Sequence, residues 1–199
     1  MRSLRKLGRD LVNVVFYLMI AVLILTGIRQ YILQPFQVDG HSMESTLHHG
    51  EHMLLFPSAK INRFDVVVFP DPKGSGNSYV KRVIGLPGDH LKVKNDQLYL
   101  NDLPVPEPYL EPNKSQADSH PFTHDFSLWD TLGIESIPEG YYFVMGDNRP
   151  GSGDSRQFGL VPIASVQGKA DLVYWPFNQM RRMAQYQLQA DGSLSISAP

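Results

Sequence analysis

Residues 11–28, LVNVVFYLMIAVLILTGI, run for eighteen positions without a charge. As a helix this stretch is ~27 Å long, close to the hydrocarbon thickness of a bilayer. Its clearly polar members, Asn13 and Thr26, lie near the two ends. A helix of that length buried in a soluble core would carry a polar stripe, and this one has none. A cleaved targeting segment would have a shorter apolar run, ~7–15 residues, ending in a small-x-small site. Here the run closes in LTGIRQ, where Leu25 and Gly27 are the best such pair. We read residues 11–30 as an uncleaved transmembrane anchor.

Charge orients that anchor. Arg2, Arg5, Lys6 and Arg9 against Asp10 give residues 1–10 a charge of +3, and only Arg29 follows the span closely. The positive-inside bias puts residues 1–10 in the cytoplasm and residues 31–199 outside, as a single-pass protein of the plasma membrane. Subtracting that +3 from the overall −2 leaves −5 on the other 189 residues, so no general attraction for nucleic acid is expected. The absence of cysteine excludes disulfides, thiolate metal sites and a cysteine nucleophile. An external domain of this kind suits a cell that does not rely on disulfides, as many bacteria do not.

Beyond the anchor, short apolar runs alternate with turn residues. HMLLFP (52–57), DVVVFP (65–70), YVKRVIGL (79–86), LKVK (91–94), QLYL (97–100), YYFVM (141–145) and ADLVYW (170–175) read as strands. Lys92 and Lys94 alternate with Leu91 and Val93, as on a half-exposed strand, and Asn95-Asp96 reads as the hairpin turn into Gln97–Leu100. The expected fold is mainly β, a closed or nearly closed antiparallel, barrel-like domain preceded by one transmembrane helix. Residues 107–133 read as a long loop or small insertion. Residues 178–199 read as a polar tail, either frayed or folded into a hairpin around Asp191-Gly192.

Three clusters carry polar chemistry. VDGHSMESTL (38–47) holds Ser42 just beyond the anchor, although a lone serine in a turn is far more often structural than catalytic. In YVKRVIGLPGD (79–89), period-two alternation puts Lys81 on the face of Tyr79 and Val83 and Arg82 on the other. One of the two cations must then face inward unless the strand lies on an edge, with snorkelling stems on a surface strand as the bland reading. GDNRPGSGDSRQFG (146–159) is a polar loop directly after the apolar run YYFVM. The histidines form no ligand pattern with carboxylates, so no metal is expected. His41 adjoins Ser42, and neighbouring side chains diverge, which makes it a poor base. A lysine at its ordinary pKa of about 10.4 cannot be a base near neutrality, but burial lowers that value and the neutral amine can accept a proton.

The order anchor, SMxxTL, RFDVVVF, YVKRVIGLPGD, GDNRxxSxDSR resembles bacterial type I signal peptidase, the membrane-bound protease that removes signal peptides. The matching blocks run from about residue 35 to residue 162, with the 107–133 insertion outside them. The resemblance implies a mostly antiparallel β domain with a hydrophobic surface against the membrane. It implies Ser42 as nucleophile, Lys81 as general base and Ser152 as the serine that orients the lysine amine. Asp154 and Arg156 match an ion pair behind the site, and Gly146, Asp147 and Asn148 match residues that hold the loop. Phe36, Val38, Met43 and Leu47 match positions lining small apolar pockets for the substrate. No cofactor is implied, and the implied partners are exported preproteins and the lipid bilayer.

Two departures stand out. Ser45 occupies a position where the family commonly has proline. Gly40 stands where some members carry an oxyanion-holding serine, so the oxyanion would rest mainly on the Ser42 backbone N–H; one such donor is worth on the order of 3 kcal/mol. A self-cleaving repressor with a similar Ser/Lys core would need a DNA-binding N-terminus in place of the anchor. An inactive tethered binding module would be expected to lack Ser42 or Lys81, and both are present.

Overall fold

The computed structural model describes residues 2–117 and 120–197. Met1 of the basic segment, residues 118–119 of the 107–133 insertion and residues 198–199 of the tail lie outside the described residues. In chain order the elements are α1 (Arg2–Tyr31), β1 (Gln34–Gln37), β2 (His52–Phe56), β3 (Val66–Pro70), β4 (Ser78–Gly85), β5 (Leu91–Lys94), β6 (Gln97–Leu100), β7 (Leu103–Val105), α2 (Glu111–Lys114), β8 (Phe126–Ser127), α3 (Leu128–Leu132), β9 (Tyr141–Met145), α4 (Ser155–Phe158), β10 (Val161–Pro162), β11 (Gly168–Trp175), β12 (Arg181–Arg182), β13 (Gln185–Leu188) and β14 (Leu194–Ser197). The fold is mainly antiparallel β, as expected.

Within α1, residues Gly8–Tyr31 are long and apolar enough to cross a membrane, and none of that stretch is buried against the domain. Apolar side chains such as Leu11, Leu18 and Leu25 therefore stand open, with no protein surface to cover them. The helix end is tied to the domain where the Ser58 hydroxyl donates to the Tyr31 carbonyl at 2.7 Å. Only Ile32 and Leu33 separate α1 from β1.

The large sheet runs β1-β2-β11-β3-β4-β9-β10, with β12 pairing β11. Every ladder in it is antiparallel. Strand alternation fills both of its faces. Val66 and Val68 of β3 pack with Met53, Leu55 and Val173, while Val67 and Phe69 pack with Val83, Val144 and Val161. A second sheet, β7-β6-β5-β8, buries Leu91 and Val93 and exposes Lys92 and Lys94. Asn95 and Asp96 both have positive φ (53° and 59°), as a two-residue primed turn requires. The same Asn-Asp chemistry recurs at Asn101 and Asp102 (52° and 66°) and turns β6 into β7, a hairpin the sequence reading did not single out.

Two expectations are sharpened. Of the two readings of residues 107–133, a long loop or a small insertion, the described part fits the insertion. That part forms α2, β8 and α3 and sends Tyr109, Leu110, Phe122 and Leu128 into the core of the second sheet. These four apolar residues are unevenly spaced, so no period revealed them. The tail folds as the hairpin β13–β14, with Gly192 at φ 84° in the turn, and its Tyr186, Leu188 and Leu194 pack on that same core.

Candidate active site

Ser42 sits in a turn between β1 and β2. The turn hangs on Met43 and Leu47, which are buried at 2% and 0% exposure and anchor it to the core beneath β2 and β3. Lys81 reaches the same point from the middle of β4. Its Nζ lies 2.6 Å from Ser42 Oγ and donates to the Val80 carbonyl at 3.0 Å. Lys81 is 4% exposed, and its Nζ stands 5.4 Å from the centre of the Tyr79 ring. Burial lowers its pKa to about 8, although Asp154 and Asp147 pull it partway back. A large fraction of this amine is therefore neutral near pH 8, and a neutral amine can take the serine proton.

Both cations of β4 face inward, which goes beyond the expectation of one. Arg82 is 2% exposed, on the opposite side of the strand from Lys81. It is accommodated because Asp147 meets it: Nε donates to Oδ1 at 2.9 Å and Nη2 to Oδ2 at 2.5 Å. The Thr46 hydroxyl donates to Asp147 Oδ2 and accepts from Arg82 Nη2 at 3.2 Å. Arg82 Nη1 donates to the Phe64 carbonyl, and the guanidinium lies 4.1 Å from the Tyr109 ring centre. Every polar atom of this pair has a partner, which a buried ion pair requires.

The loop after β9 closes the site from above. Asn148 N–H donates to the Ser42 carbonyl at 3.0 Å, and its side chain donates to the His41 carbonyl at 3.2 Å. Gly146 N–H donates to Asp154 Oδ2 at 3.0 Å. Asp154 is held in turn by Arg156, whose Nε and Nη2 each reach one of its carboxylate oxygens at 2.8 Å. Gly146 must be glycine for space: an added Cβ would fall 2.2 Å from Ser152 Oγ and 2.4 Å from the Ser42 carbonyl. The loop is also tied outward, where buried Arg149 pairs with Glu107 and donates to the Gly146 carbonyl at 3.1 Å.

Two of the expected site residues are placed differently from what the resemblance implies. Ser152 is buried beside the site, but it makes no hydrogen bond to Lys81. Its Oγ has no partner, and the partners of the amine are Ser42 Oγ and Val80 O. Leu47 lines no pocket, because its side chain is fully enclosed in the core. Phe36, Val38 and Met43 do line a cleft of about 480 Å³ that opens onto Ser42 and Lys81, together with Tyr79 and Gly153. Thr46, Glu107 and Arg149 are supports that the sequence reading missed. No spacing signal links residues this far apart, although Thr46 and Arg149 lie inside motifs already singled out. Among the described residues the Ser42 backbone N–H donates to no protein acceptor, and no cluster of potential metal ligands is found.

Comparison with known proteins decides the family. Residues 11–175 match the model of the family described as signal peptidase, peptidase S26. The chain belongs to the signal peptidase S26 family. It is an enzyme of the serine peptidase type that this family comprises. It is 43% identical over 164 residues to signal peptidase I of Bacillus caldolyticus, covering 80% of this chain and 89% of that relative. It is 44% identical over 170 residues to signal peptidase I S of Bacillus subtilis, covering 83% and 89%. The crystal structure of a signal peptidase I from Enterococcus faecalis superposes with a TM-score of 0.53 at 43% identity, over 56% of this chain and 97% of that one. Within this S26 peptidase, the cleft with Ser42 and Lys81 on its wall is the candidate active site.

Proposed function

We propose that this chain is a membrane-anchored endopeptidase that removes N-terminal signal peptides from exported preproteins by a Ser42/Lys81 dyad. The observation that carries the reading is the 2.6 Å approach of Lys81 Nζ to Ser42 Oγ, with the lysine buried and its pKa lowered to about 8. Neutral Lys81 takes the Ser42 proton as Oγ attacks the scissile carbonyl. The Ser42 N–H, free of other acceptors, receives the oxyanion. The lysine ammonium then protonates the leaving amine, and an acyl-enzyme remains. Lysine-activated water releases the signal peptide carboxylate and restores the serine. Ser152, buried with an unpaired hydroxyl, is the nearby group suited to accept from the amine once Lys81 and Ser42 separate.

The cleft walls supply the specificity. Phe36, Val38 and Met43 offer apolar, confined surface to the residues preceding the cut, which favours small side chains at the two enclosed positions. The substrate would lie extended, as an added strand. The test is cleavage of a preprotein with an Ala-x-Ala site by the purified full chain. Single changes of either alanine to a bulky residue are expected to stop cleavage. Equal cleavage of the bulky variants would refute this pocket assignment.

The anchor sets the place of action. The proposed topology has residues 1–10 in the cytoplasm, residues 11–30 across the membrane and the catalytic domain outside, with the anchor retained. External protease added to cells stripped of their wall should digest the domain and spare an N-terminal tag. A protected domain with a digested tag would reverse the topology and remove the proposed access to exported chains.

A further inference from the structure

We propose that Asn113 is a positioning residue for Ser42: its side-chain amide ties the nucleophile turn to the loop that caps it. The inference rests on the reading of Ser42 as the nucleophile. Asn113 Nδ2 donates to the Glu44 carbonyl and to the Asp147 carbonyl, the latter at 3.2 Å. Two carbonyls on one amide nitrogen use both of its hydrogens, which a carboxylate in its place could not supply. Glu44 lies two residues past Ser42, and Asp147 adjoins Asn148, whose N–H holds the Ser42 carbonyl. The two segments thus meet at Asn148–Ser42, at Thr46–Asp147 and at Asn113.

Asn113 is half-buried and is delivered from a firm base. Its helix α2 follows Glu107, which pairs with buried Arg149, and Tyr109, which lies on the Arg82 guanidinium. On its other side, Lys114 pairs with Asp96 at 3.2 Å. The inserted segment therefore bears directly on the backbone that carries the attacking oxygen. Without the Asn113 donors, the Glu44 and Asp147 carbonyls would lose the contact that draws the two segments together. Ser42 would then drift relative to Lys81, which is fixed on β4. Misplacement on the scale of 1 Å at a reacting group costs up to about 100-fold in rate.

The experiment uses the full chain in detergent micelles with a preprotein substrate and compares Asn113→Asp, Asn113→Gln, Ser42→Ala and the unchanged chain. Asn113→Asp keeps the shape and removes both donors. Its kcat is expected to fall at least about tenfold, with KM and melting temperature near those of the unchanged chain. Asn113→Gln, which keeps the amide, is expected to recover part of that loss. If folded Asn113→Asp retains full kcat, the proposal is overturned. It is equally overturned if kcat falls only together with melting temperature, or if both Asn113 variants fail to fold, because the amide would then hold the domain and not aim the serine. Failure of the unchanged chain to outpace Ser42→Ala would instead sink the Ser42 reading on which the proposal rests.

Discussion

Ser42→Ala and Lys81→Ala are each expected to lower preprotein cleavage by about 10⁴-fold or more while leaving the domain folded. In the proposed mechanism Ser42 supplies the attacking oxygen, and a turn position needs no hydroxyl to fold. In the same proposal Lys81 supplies the base. Its loss removes a buried amine that burial disfavours in the charged form, so the domain should tolerate a smaller apolar side chain. The unchanged enzyme should show the corresponding pH dependence. Protonated Lys81 cannot accept the serine proton, so the rate is low below the lysine pKa, rises as pH passes about 8, and levels off above it. Turnover of an Ala-x-Ala preprotein, measured across pH with circular dichroism of each variant, checks both statements. Appreciable turnover in either folded variant would remove the dyad, and a rising limb centred near 10 would mean that the base is some other group.

The second large effect is on stability. Asp147→Ala should destabilise the domain by about 3–5 kcal/mol, because it leaves Arg82 charged, 2% exposed and without its carboxylate. Arginine cannot escape by releasing its proton. Thr46 would lose its acceptor at the same time, so the turn of Ser42 should loosen and activity should fall with stability. Replacing both partners, as Arg82→Met with Asp147→Leu, should cost less than Asp147→Ala alone, since no charge is stranded. Thermal and chemical denaturation of the full chain in micelles would measure this. A double variant no more stable than the single one would show that the pair is not the source of the loss.

What could be read from the sequence follows from the range of each interaction. The strand of Lys81 was legible because alternation is local: it put Lys81 on the face of Tyr79 and Val83 and Arg82 on the other, but left open which of the two faces inward. The burial of Arg82 was not legible as a necessity, because its counter-ion Asp147 lies 65 positions away. The polar loop 146–159 was found by its composition, but the residues that hold it from outside were not. Glu107, Tyr109 and Asn113 sit in a stretch whose apolar members are irregularly spaced and whose prolines suggest a loop. Only the fold reveals that this stretch packs behind the site. Leu47 was misjudged for the opposite reason. Sharing a motif with Ser42 marked it as a pocket wall, whereas its side chain is the peg that fixes the turn in the core.

The junction between helix and domain has a mechanical consequence. Two residues, Ile32 and Leu33, connect Tyr31 to a strand that becomes a wall of the cleft, and the Ser58 hydroxyl clamps the helix end to the domain. A connection this short keeps the first strand of the cleft close to the end of the helix. If the helix spans the bilayer as proposed, Ser42 stands at a set height above the lipid, eleven residues from Tyr31. A substrate held by its own apolar segment in the same bilayer is then gauged twice. Its side chains must fit the cleft, and the bond to be cut must lie at the elevation where the serine waits. Small-x-small sites elsewhere in an exported chain would pass that elevation without stopping there.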